Sequence, residues 1–145
     1  MFRSSVEWEP VAGFTSPVPA VQADASWPEA CQLMRRAGVR KLPVVDKGKL
    51  VGVITWGDLR EAGPSDATSL ARWEYPALLA HLPVRQIMSC PPVTISPSTP
   101  LRQAAALMLQ HGIEGLVVLE GGRILGMLTA ANILQALSEG RDRLC

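Results

Sequence analysis

Four polar side chains in the first half of the chain have the types and spacing needed to hold a phosphorylated sugar. Thr55 and Asp58 lie three residues apart where a strand is predicted to pass into a helix, and Arg40 and Lys41 precede the hairpin that ends there. A carboxylate at this spacing can accept hydrogen bonds from both hydroxyls of a ribose diol, a charge-assisted arrangement. Thr55 can donate its hydroxyl to a phosphate beside the free N–H groups of a helix start. Arg40 and Lys41 are the local cations for that phosphate.

Each of these residues also has a purely structural interpretation. Thr and Asp are common at helix starts, so Thr55 and Asp58 can serve as helix caps alone. Arg40 and Lys41 can be solvated surface residues. His111, next to a predicted helix end, suits the helix dipole better than it suits a ligand.

The chain contains the same pattern twice, 74 residues apart and without a gap. Residues 14–59 align with residues 88–133, and most unmatched pairs exchange similar side chains. A duplication on this scale implies two copies of one supersecondary unit, so ligand sites should come in related pairs. The identical pairs include Pro17/Pro91, Ala30/Ala104, Met34/Met108, Gly38/Gly112, Leu42/Leu116, Val44/Val118, Gly52/Gly126 and Thr55/Thr129.

Each repeat is predicted to fold as strand, helix, strand, strand and helix. In the first copy, residues 18–22 are extended, Ser26 caps a helix with Pro28 in its first turn, and Gly38 ends it. A hairpin of β-branched residues follows, too apolar for a sheet with one wet face, and a last helix begins near Trp56. The second copy is predicted to repeat these elements, with Thr99 in the capping place before Pro100, Gly112 at the helix end and Ala130 near the last helix start.

Residues 62–83 have no partner in the repeat. Asp66 or Thr68 can cap a short helix that places Leu70, Trp73 and Ala77 on one side, and Pro76 is expected to break or kink it. Two interpretations stay open: Trp73 and Leu78 cover the core, or the helix meets a partner.

Composition excludes several classes of protein. The chain has 145 residues, 48% of them hydrophobic, and a formal net charge of +1, which gives no field suited to nucleic acid or an anionic membrane. Its longest apolar run, Ala104 to Leu109, is too short to span a bilayer, and Glu7 and Glu9 stand where a signal peptide would be apolar. We therefore expect a cytoplasmic protein that does not enter the membrane. Three cysteines without a Cys-x-x-Cys and two isolated histidines argue against a metal site or thiol catalysis.

The segment from Gly38 to Leu59, with Leu42-Pro43-Val44-Val45-Asp46 and Thr55-x-x-Asp58, resembles the cystathionine-β-synthase (CBS) domain, and so does its copy from Gly112 to Ile133. Two in tandem resemble a Bateman module. The resemblance implies an α/β fold of two β-α-β-β-α repeats, with small three-stranded sheets packed about a pseudo-twofold axis. Its boundaries are an N-terminal segment 1–13, a first domain 14–61, a linker 62–83, a second domain 84–138 and a tail 139–145. The linker is similar to that of acetoin-utilisation-type CBS proteins, which often carry an ACT domain, and the chain stops at Cys145 without one.

The resemblance also implies two clefts between the repeats that bind AMP, ADP, ATP or S-adenosylmethionine as a regulatory ligand, with no cofactor required. Thr55 and Asp58 match the family's ligand signature, and Gly52 lets backbone or base approach closely. Phosphate contacts map to Arg40 and Lys41. The residues that flank the base map to Val18, Ala20, Lys41, Leu42 and Pro43.

The second copy departs from this pattern. Thr129 is kept, but Asn132 replaces the aspartate, and an amide cannot grip a diol as a carboxylate does. Glu114-Gly115 replace the two cations, while Thr94 keeps a hydroxyl on the base-flanking strand. We expect the second site to be weaker or empty.

The resulting prediction is a homodimeric sensor of adenosine-containing ligands that signals to a partner enzyme or transporter and has no catalytic activity. The alternative is a ligand-free dimerisation scaffold, which would not need Thr55 and Asp58. The sequence contains no pattern of paired carboxylates and no nucleophile with a base, as an enzyme would need. It also lacks the basic stripe that nucleic-acid binding would require. The segment 1–13, with Trp8, is expected to fold over the module or over a neighbouring subunit.

Overall fold

The computed structural model describes residues 6–63 and 75–142, which form two compact units. One unit runs from Val18 to Pro92. The other joins the N-terminal residues, up to Pro17, to the chain from Val93 onward. Each unit contains one three-stranded sheet with its helices. Within the described residues, each helix is too short or too polar to cross a bilayer.

Apart from α3, the strands and α-helices of the first unit recur in the second in the same order. The first contains β1 (Val21–Gln22), α1 (Trp27–Ala37), β2 (Lys41–Asp46), β3 (Lys49–Thr55), α2 (Trp56–Ala62) and α3 (Tyr75–Ala80). The second contains β4 (Thr94–Ile95), α4 (Leu101–His111), β5 (Gly115–Glu120), β6 (Arg123–Thr129) and α5 (Ala130–Asp142). In each sheet the first strand is parallel to the second, and the second is antiparallel to the third. The predicted α/β class, the two three-stranded sheets and the element order are confirmed.

The central strands are apolar because both of their faces are covered. In the first unit Leu42, Val44 and Ile54 are fully buried and pack with Met34 of α1 and Leu59 of α2. The second unit has an equivalent core. Its buried residues include Leu101, Ala104, Met108, Leu116, Val118, Leu128 and Ala136.

The helices α1 and α4 end alike but begin differently. Ser26 and Glu29 form a capping box at the start of α1, and Gly38 ends it in a left-handed conformation with φ 67°. Gly112 ends α4 in the same way, with φ 63°. The prediction that Thr99 caps α4 is wrong, because the N-cap residue is Pro100 and makes no side-chain bond.

The cap of α4 is replaced by main chain from the N-terminal segment. The Leu101 N–H donates to the Glu9 carbonyl at 3.0 Å, and the Val11 N–H donates to the Thr99 carbonyl at 2.8 Å. The first bond satisfies one of the free N–H groups at the helix start without a hydroxyl side chain, and the second ties the N-terminal segment to the residue before Pro100.

The linker covers the core with a different leucine from the one expected. Leu78 is 55% exposed, whereas Leu79 is 6% exposed and α3 packs on α1. Pro76 is the second residue of α3, in the first turn where proline is tolerated. The predicted break or kink concerns the chain before Tyr75, which lies outside the described residues. The predicted cap and helix positions Asp66, Thr68, Leu70 and Trp73 lie outside the described residues.

The N-terminal segment folds onto the second repeat. It forms two short 3-10 turns, Val6–Trp8 and Val11–Phe14, and Val11 is fully buried in the core of that unit. Beyond these turns, Ser16 and Met127 exchange two backbone hydrogen bonds of 3.0 Å at the edge of β6. The start of the chain, up to Ser16, therefore completes the second repeat.

The first unit is completed in the same manner by Ser89, at the start of the second repeat. Ser89 and Val53 exchange backbone hydrogen bonds of 3.0 and 2.8 Å at the edge of β3. A Cβ at Gly52 would lie 2.7 Å from the Ser89 carbonyl oxygen, and a Cβ at Gly126 would overlap the Ser16 carbonyl. Of the two interpretations of Gly52, close approach of backbone is the one that the structure shows.

We expect Gly126→Ala to lower the free energy of unfolding by about 1–3 kcal/mol, because the new methyl group must displace Ser16 from the edge of β6 and alanine disfavours the φ of 154° at this residue. Gly13→Ala is the matched control, since a Cβ there meets no atom within 4 Å. Urea unfolding of both variants is the measurement. Equal midpoints for the two variants would show that the segment does not pair with β6.

Candidate functional site

Three segments of the first unit meet at one end of its sheet. The strand β1 is parallel to β2, so residues before Val21 lie at the end where β2 begins. The strand β3 is antiparallel to β2, and its last residue Thr55 pairs with Lys41, the first residue of β2. This topology brings Val18 and Ala20, the start of β2 and the start of α2 to the same edge.

Hydrogen bonds fix the passage from β3 into α2. The Trp56 N–H donates to the Arg40 carbonyl at 2.7 Å, so Arg40 lies beside the helix start. Asp58 Oδ2 accepts from the Thr55 N–H at 2.9 Å, and Thr55 Oγ1 accepts from the Asp58 N–H at 3.1 Å. The capping interpretation of Thr55 and Asp58 is thus realised.

Capping leaves hydrogen-bonding capacity on both side chains. The Thr55 hydroxyl accepts one bond and still has its proton to donate. Asp58 uses Oδ2 in the cap, while Oδ1 has no partner among the described residues. Both side chains are half-buried, and Arg40 is exposed beside them. A donor, an acceptor and a cation are therefore available at this edge.

The equivalent turn of the second unit is internally satisfied. Thr129 donates both its N–H and its hydroxyl to Asn132 Oδ1, at 2.8 and 2.9 Å, and the Asn132 N–H donates back to Thr129 Oγ1 at 3.2 Å. The remaining polar group, Asn132 Nδ2, donates to Ser16 Oγ at 3.2 Å. The Thr129 proton and the Asn132 amide are both committed to protein partners.

The local charge also differs between the two turns. The Ala130 N–H donates to the Glu114 carbonyl at 2.9 Å, so Glu114 occupies the place that Arg40 holds in the first unit. Its side chain is exposed, as is Thr94 at the start of β4. An anionic ligand would meet a carboxylate here rather than a guanidinium.

The residues predicted to flank a base differ in accessibility. Ala20 is exposed, and Val18 and Lys41 are half-buried. Leu42 is fully buried in the core and Pro43 is buried too. Contacts from Leu42 and Pro43 to a ligand would have to come from their backbone.

Ser16 is a residue that the sequence analysis did not identify. Its place in the repeat corresponds to Cys90, yet the residue that pairs with the first sheet is Ser89. The residues that pair with β3 and β6 are therefore 73 residues apart instead of 74. Because of this difference, aligning the repeats could not predict the contact between Ser16 and Asn132.

Outside this edge, the described residues hold dispersed metal-binding side chains and one buried thiol, Cys31. Within residues 6–63 and 75–142, no three His, Cys, Asp or Glu residues come together to hold a metal. Burial raises the pKa of the Cys31 thiol, and the nearby Arg35 charge opposes this only in part. Cys31 is therefore held as the thiol, the form that is a poor nucleophile.

Comparison with known proteins gives the same pattern twice. The CBS domain family matches residues 11–65 and 84–139. A CBS domain-containing protein of Dictyostelium discoideum is 34% identical over 119 residues, which cover 81% of this chain and 82% of that protein. An inosine-5'-monophosphate dehydrogenase of Korarchaeum cryptofilum is 33% identical over 78% of this chain, which spans only 21% of the length of the dehydrogenase.

Solved structures agree with these relatives. The CBS domain of a membrane protein from Sphaerobacter thermophilus has a TM-score of 0.74 and 29% identity, covering 91% of this chain and 90% of that one. CBSX2 in complex with AMP has a TM-score of 0.73 and 28% identity, with 90% and 97% covered. The CBS domain pair of protein MJ0100, in complex with 5'-methylthioadenosine and S-adenosyl-L-methionine, has a TM-score of 0.70 and 25% identity, with 87% and 97% covered. This chain belongs to the CBS domain family and carries two copies of the domain in tandem.

Proposed function

We propose that this chain is a regulatory module that binds an adenosine-containing ligand at the edge formed by Thr55, Asp58 and Arg40. The proposal rests on the hydrogen-bonding groups that the helix cap of the first turn does not use. Among the described residues, neither the Thr55 hydroxyl proton nor Asp58 Oδ1 has a hydrogen-bond partner. The complexes of CBSX2 with AMP and of MJ0100 with S-adenosyl-L-methionine support the class of ligand.

Each side chain has a distinct task in this proposal. Asp58 Oδ1 accepts from the ribose hydroxyls while Oδ2 stays in the helix cap, so binding does not cost the cap. Thr55 donates its hydroxyl to the phosphate, and Arg40 and Lys41 supply positive charge. The base is flanked by Val18 and Ala20 on one side and by the start of β2 on the other. Leu42 and Pro43 contribute backbone groups to that start.

The charges favour an adenylate over S-adenosylmethionine. Arg40 is exposed beside the turn, where it attracts a phosphate and repels a sulfonium cation. We therefore rank AMP, ADP and ATP above S-adenosylmethionine as ligands.

The second site, formed by Thr94, Thr129 and Asn132, binds more weakly in this account. A ligand there must first break the Thr129 and Ser16 bonds to Asn132, and it meets Glu114 instead of a cation. Both effects disfavour an anionic ligand.

Signalling passes, in this proposal, from a homodimer in the cytoplasm to a partner enzyme or transporter. The domains extend over residues 14–61 and 84–138, with a linker similar to that of acetoin-utilisation-type proteins. The competing function, a ligand-free scaffold, is favoured by one observation: Leu109, Leu134 and Leu137 are 85%, 67% and 47% exposed. Such a surface calls for a partner whether or not a ligand binds.

The ligand is tested with Asp58→Asn, because Asn132 shows that an asparagine makes the same cap. The variant should bind AMP at least tenfold more weakly, as expected for losing a charge-assisted bond of ~1.5–3 kcal/mol. Its stability should change by less than ~0.5 kcal/mol. Calorimetric titration with AMP and thermal unfolding give the two quantities. Unchanged affinity would remove Asp58 from the site, and no AMP binding by the wild type would leave the scaffold as the better account.

Asn132 provides the matched test in the second repeat. Asn132→Ala should leave AMP affinity within about twofold of the wild type, because the proposed site does not use it. Asn132→Asp combined with Glu114→Arg should strengthen binding in the second turn and raise the number of AMP molecules bound per chain. The same titrations measure both variants. A loss from Asn132→Ala equal to that from Asp58→Asn would contradict the difference between the sites.

The proposed dimer predicts that the chain sediments as a dimer at micromolar concentration, because association would bury Leu109, Leu134 and Leu137, which are exposed on the packed helices α4 and α5. Analytical ultracentrifugation with and without AMP is the measurement. A single monomeric species in both conditions would refute the dimer.

A further inference from the structure

The helices α1 and α2 of the first unit pack against each other and leave a groove of about 610 Å³. Apolar side chains line this groove, namely Trp27 and Cys31 from α1 with Trp56 and Leu59 from α2. Its volume lies within the range of ~300–1,000 Å³ that is typical of binding pockets. We call it the tryptophan groove.

One wall of the tryptophan groove is held in place by a hydrogen bond. The indole N–H of Trp27 donates to the Leu59 carbonyl at 2.7 Å, which ties α1 to α2. The same ring lies close to Gly63, where an added Cβ would come within 3.1 Å of it. Because the indole N–H already has its partner, Trp27 offers an occupant an apolar ring and requires no polar group from it. Tryptophan is also among the residues that contribute most to protein–protein binding energy.

The charge along the tryptophan groove is positive. Arg35 and Arg60 line it, and both side chains are exposed. Within residues 6–63 and 75–142, neither guanidinium group forms an ion pair. Glu61 is the one carboxylate among the described lining residues. An occupant therefore meets unpaired positive charge beside an apolar surface.

The second unit shows what kind of segment this fold places beside an arginine on a helix pair. The turn Val6–Trp8 packs on both α4 and α5, and α4 carries Arg102. Glu7 forms an ion pair with Arg102 at 3.7 Å, and the Arg102 guanidinium group lies 5.3 Å from the centre of the Trp8 ring. A segment that joins an acidic side chain to an aromatic one therefore already binds one helix pair of this molecule.

We propose that the tryptophan groove receives an acidic segment with an aromatic side chain from the protein that the module regulates. The inference rests on the proposed signalling to a partner, and it specifies the surface and the chemistry of that contact. The aromatic side chain packs against Trp27 and Trp56. Carboxylates of the segment pair with Arg35 and Arg60, whose planar guanidinium groups present parallel donors to a carboxylate.

Charge and polarity disfavour other kinds of segment in the tryptophan groove. A basic segment would be repelled by Arg35 and Arg60. A wholly apolar segment would cover their guanidinium groups without supplying a partner, which costs free energy for each charge removed from water. An acidic segment without an aromatic side chain would leave the indole surfaces in water. A segment with both features satisfies the charges and fills the groove.

Four fluorescein-labelled peptides of equal length test the proposal, because they separate charge from aromatic content. The first contains Glu, Trp and Ser in alternation, and the others replace Glu by Gln, Glu by Lys, or Trp by Ser. Fluorescence anisotropy measures the binding of each peptide to the wild-type chain. The acidic aromatic peptide should bind at least tenfold more tightly than each of the other three. Equal binding of the Gln peptide, or of the peptide without Trp, would overturn the proposal.

Charge reversal at exposed positions locates the contact. Arg35→Glu with Arg60→Glu should lose the acidic peptide and bind the Lys peptide instead. Arg36→Glu with Lys49→Glu is the matched control, because it changes the net charge equally at exposed residues that do not line the groove. This control should retain the acidic peptide. Equal losses in the two double variants would show an effect of net charge alone and would refute the groove as the site.

Two further measurements separate this inference from the other proposals. AMP titration of the wild-type chain tests ligand binding by itself, so peptide binding and AMP binding can fail independently. Anisotropy at increasing chain concentration tests whether a second copy occupies the tryptophan groove. The peptide affinity should not depend on chain concentration. An affinity that falls as the chain associates would assign the groove to a second copy and overturn the proposal.

Discussion

Each sheet depends on backbone supplied by the segment that leads into the other repeat. Ser16 pairs with Met127 at the edge of β6, and Ser89 pairs with Val53 at the edge of β3. An unpaired strand edge is open to association with other chains, so these bonds protect the sheets as well as complete them. The equivalent positions 52 and 126 are both glycine, and a side chain there would block the approach of Ser89 to β3 and of Ser16 to β6. Neither repeat could form its complete unit from its own residues.

The same constraint makes the two turns unequal. Pairing of the N-terminal segment with β6 places the Ser16 hydroxyl within 3.2 Å of Asn132, which completes a network that leaves no spare hydrogen-bond donor at Thr129. Within the described residues, Ser89 makes no such bond to Asp58. Both turns therefore cap a helix. The first turn keeps polar groups available for a ligand, whereas in the second turn the equivalent groups bond to protein. Local sequence and tertiary contact act together in producing this difference.

The sequence predicted what depends on local pattern and on the duplication. The order of elements, the Ser26 cap and the Gly38 stop could be read from apolar spacing and from caps. Three features were not predicted, because they depend on contacts between segments distant in sequence. They are the missing side-chain cap at the start of α4, the burial of Leu79 instead of Leu78, and the role of Ser16. The convergence of Arg40, Lys41, Thr55 and Asp58 was predictable, because hairpin register fixes it. The distribution of their hydrogen bonds was not, because it depends on individual side-chain contacts.

The central claim is that the first turn is open to an adenylate and the second is closed. Amide chemical shifts of a nitrogen-15-labelled chain, followed during titration with AMP, test it most directly. We predict that the amides of residues 55–58 shift at AMP concentrations that leave residues 129–132 unchanged. Shifts of both segments at the same AMP concentration, or of residues 129–132 first, would contradict the account.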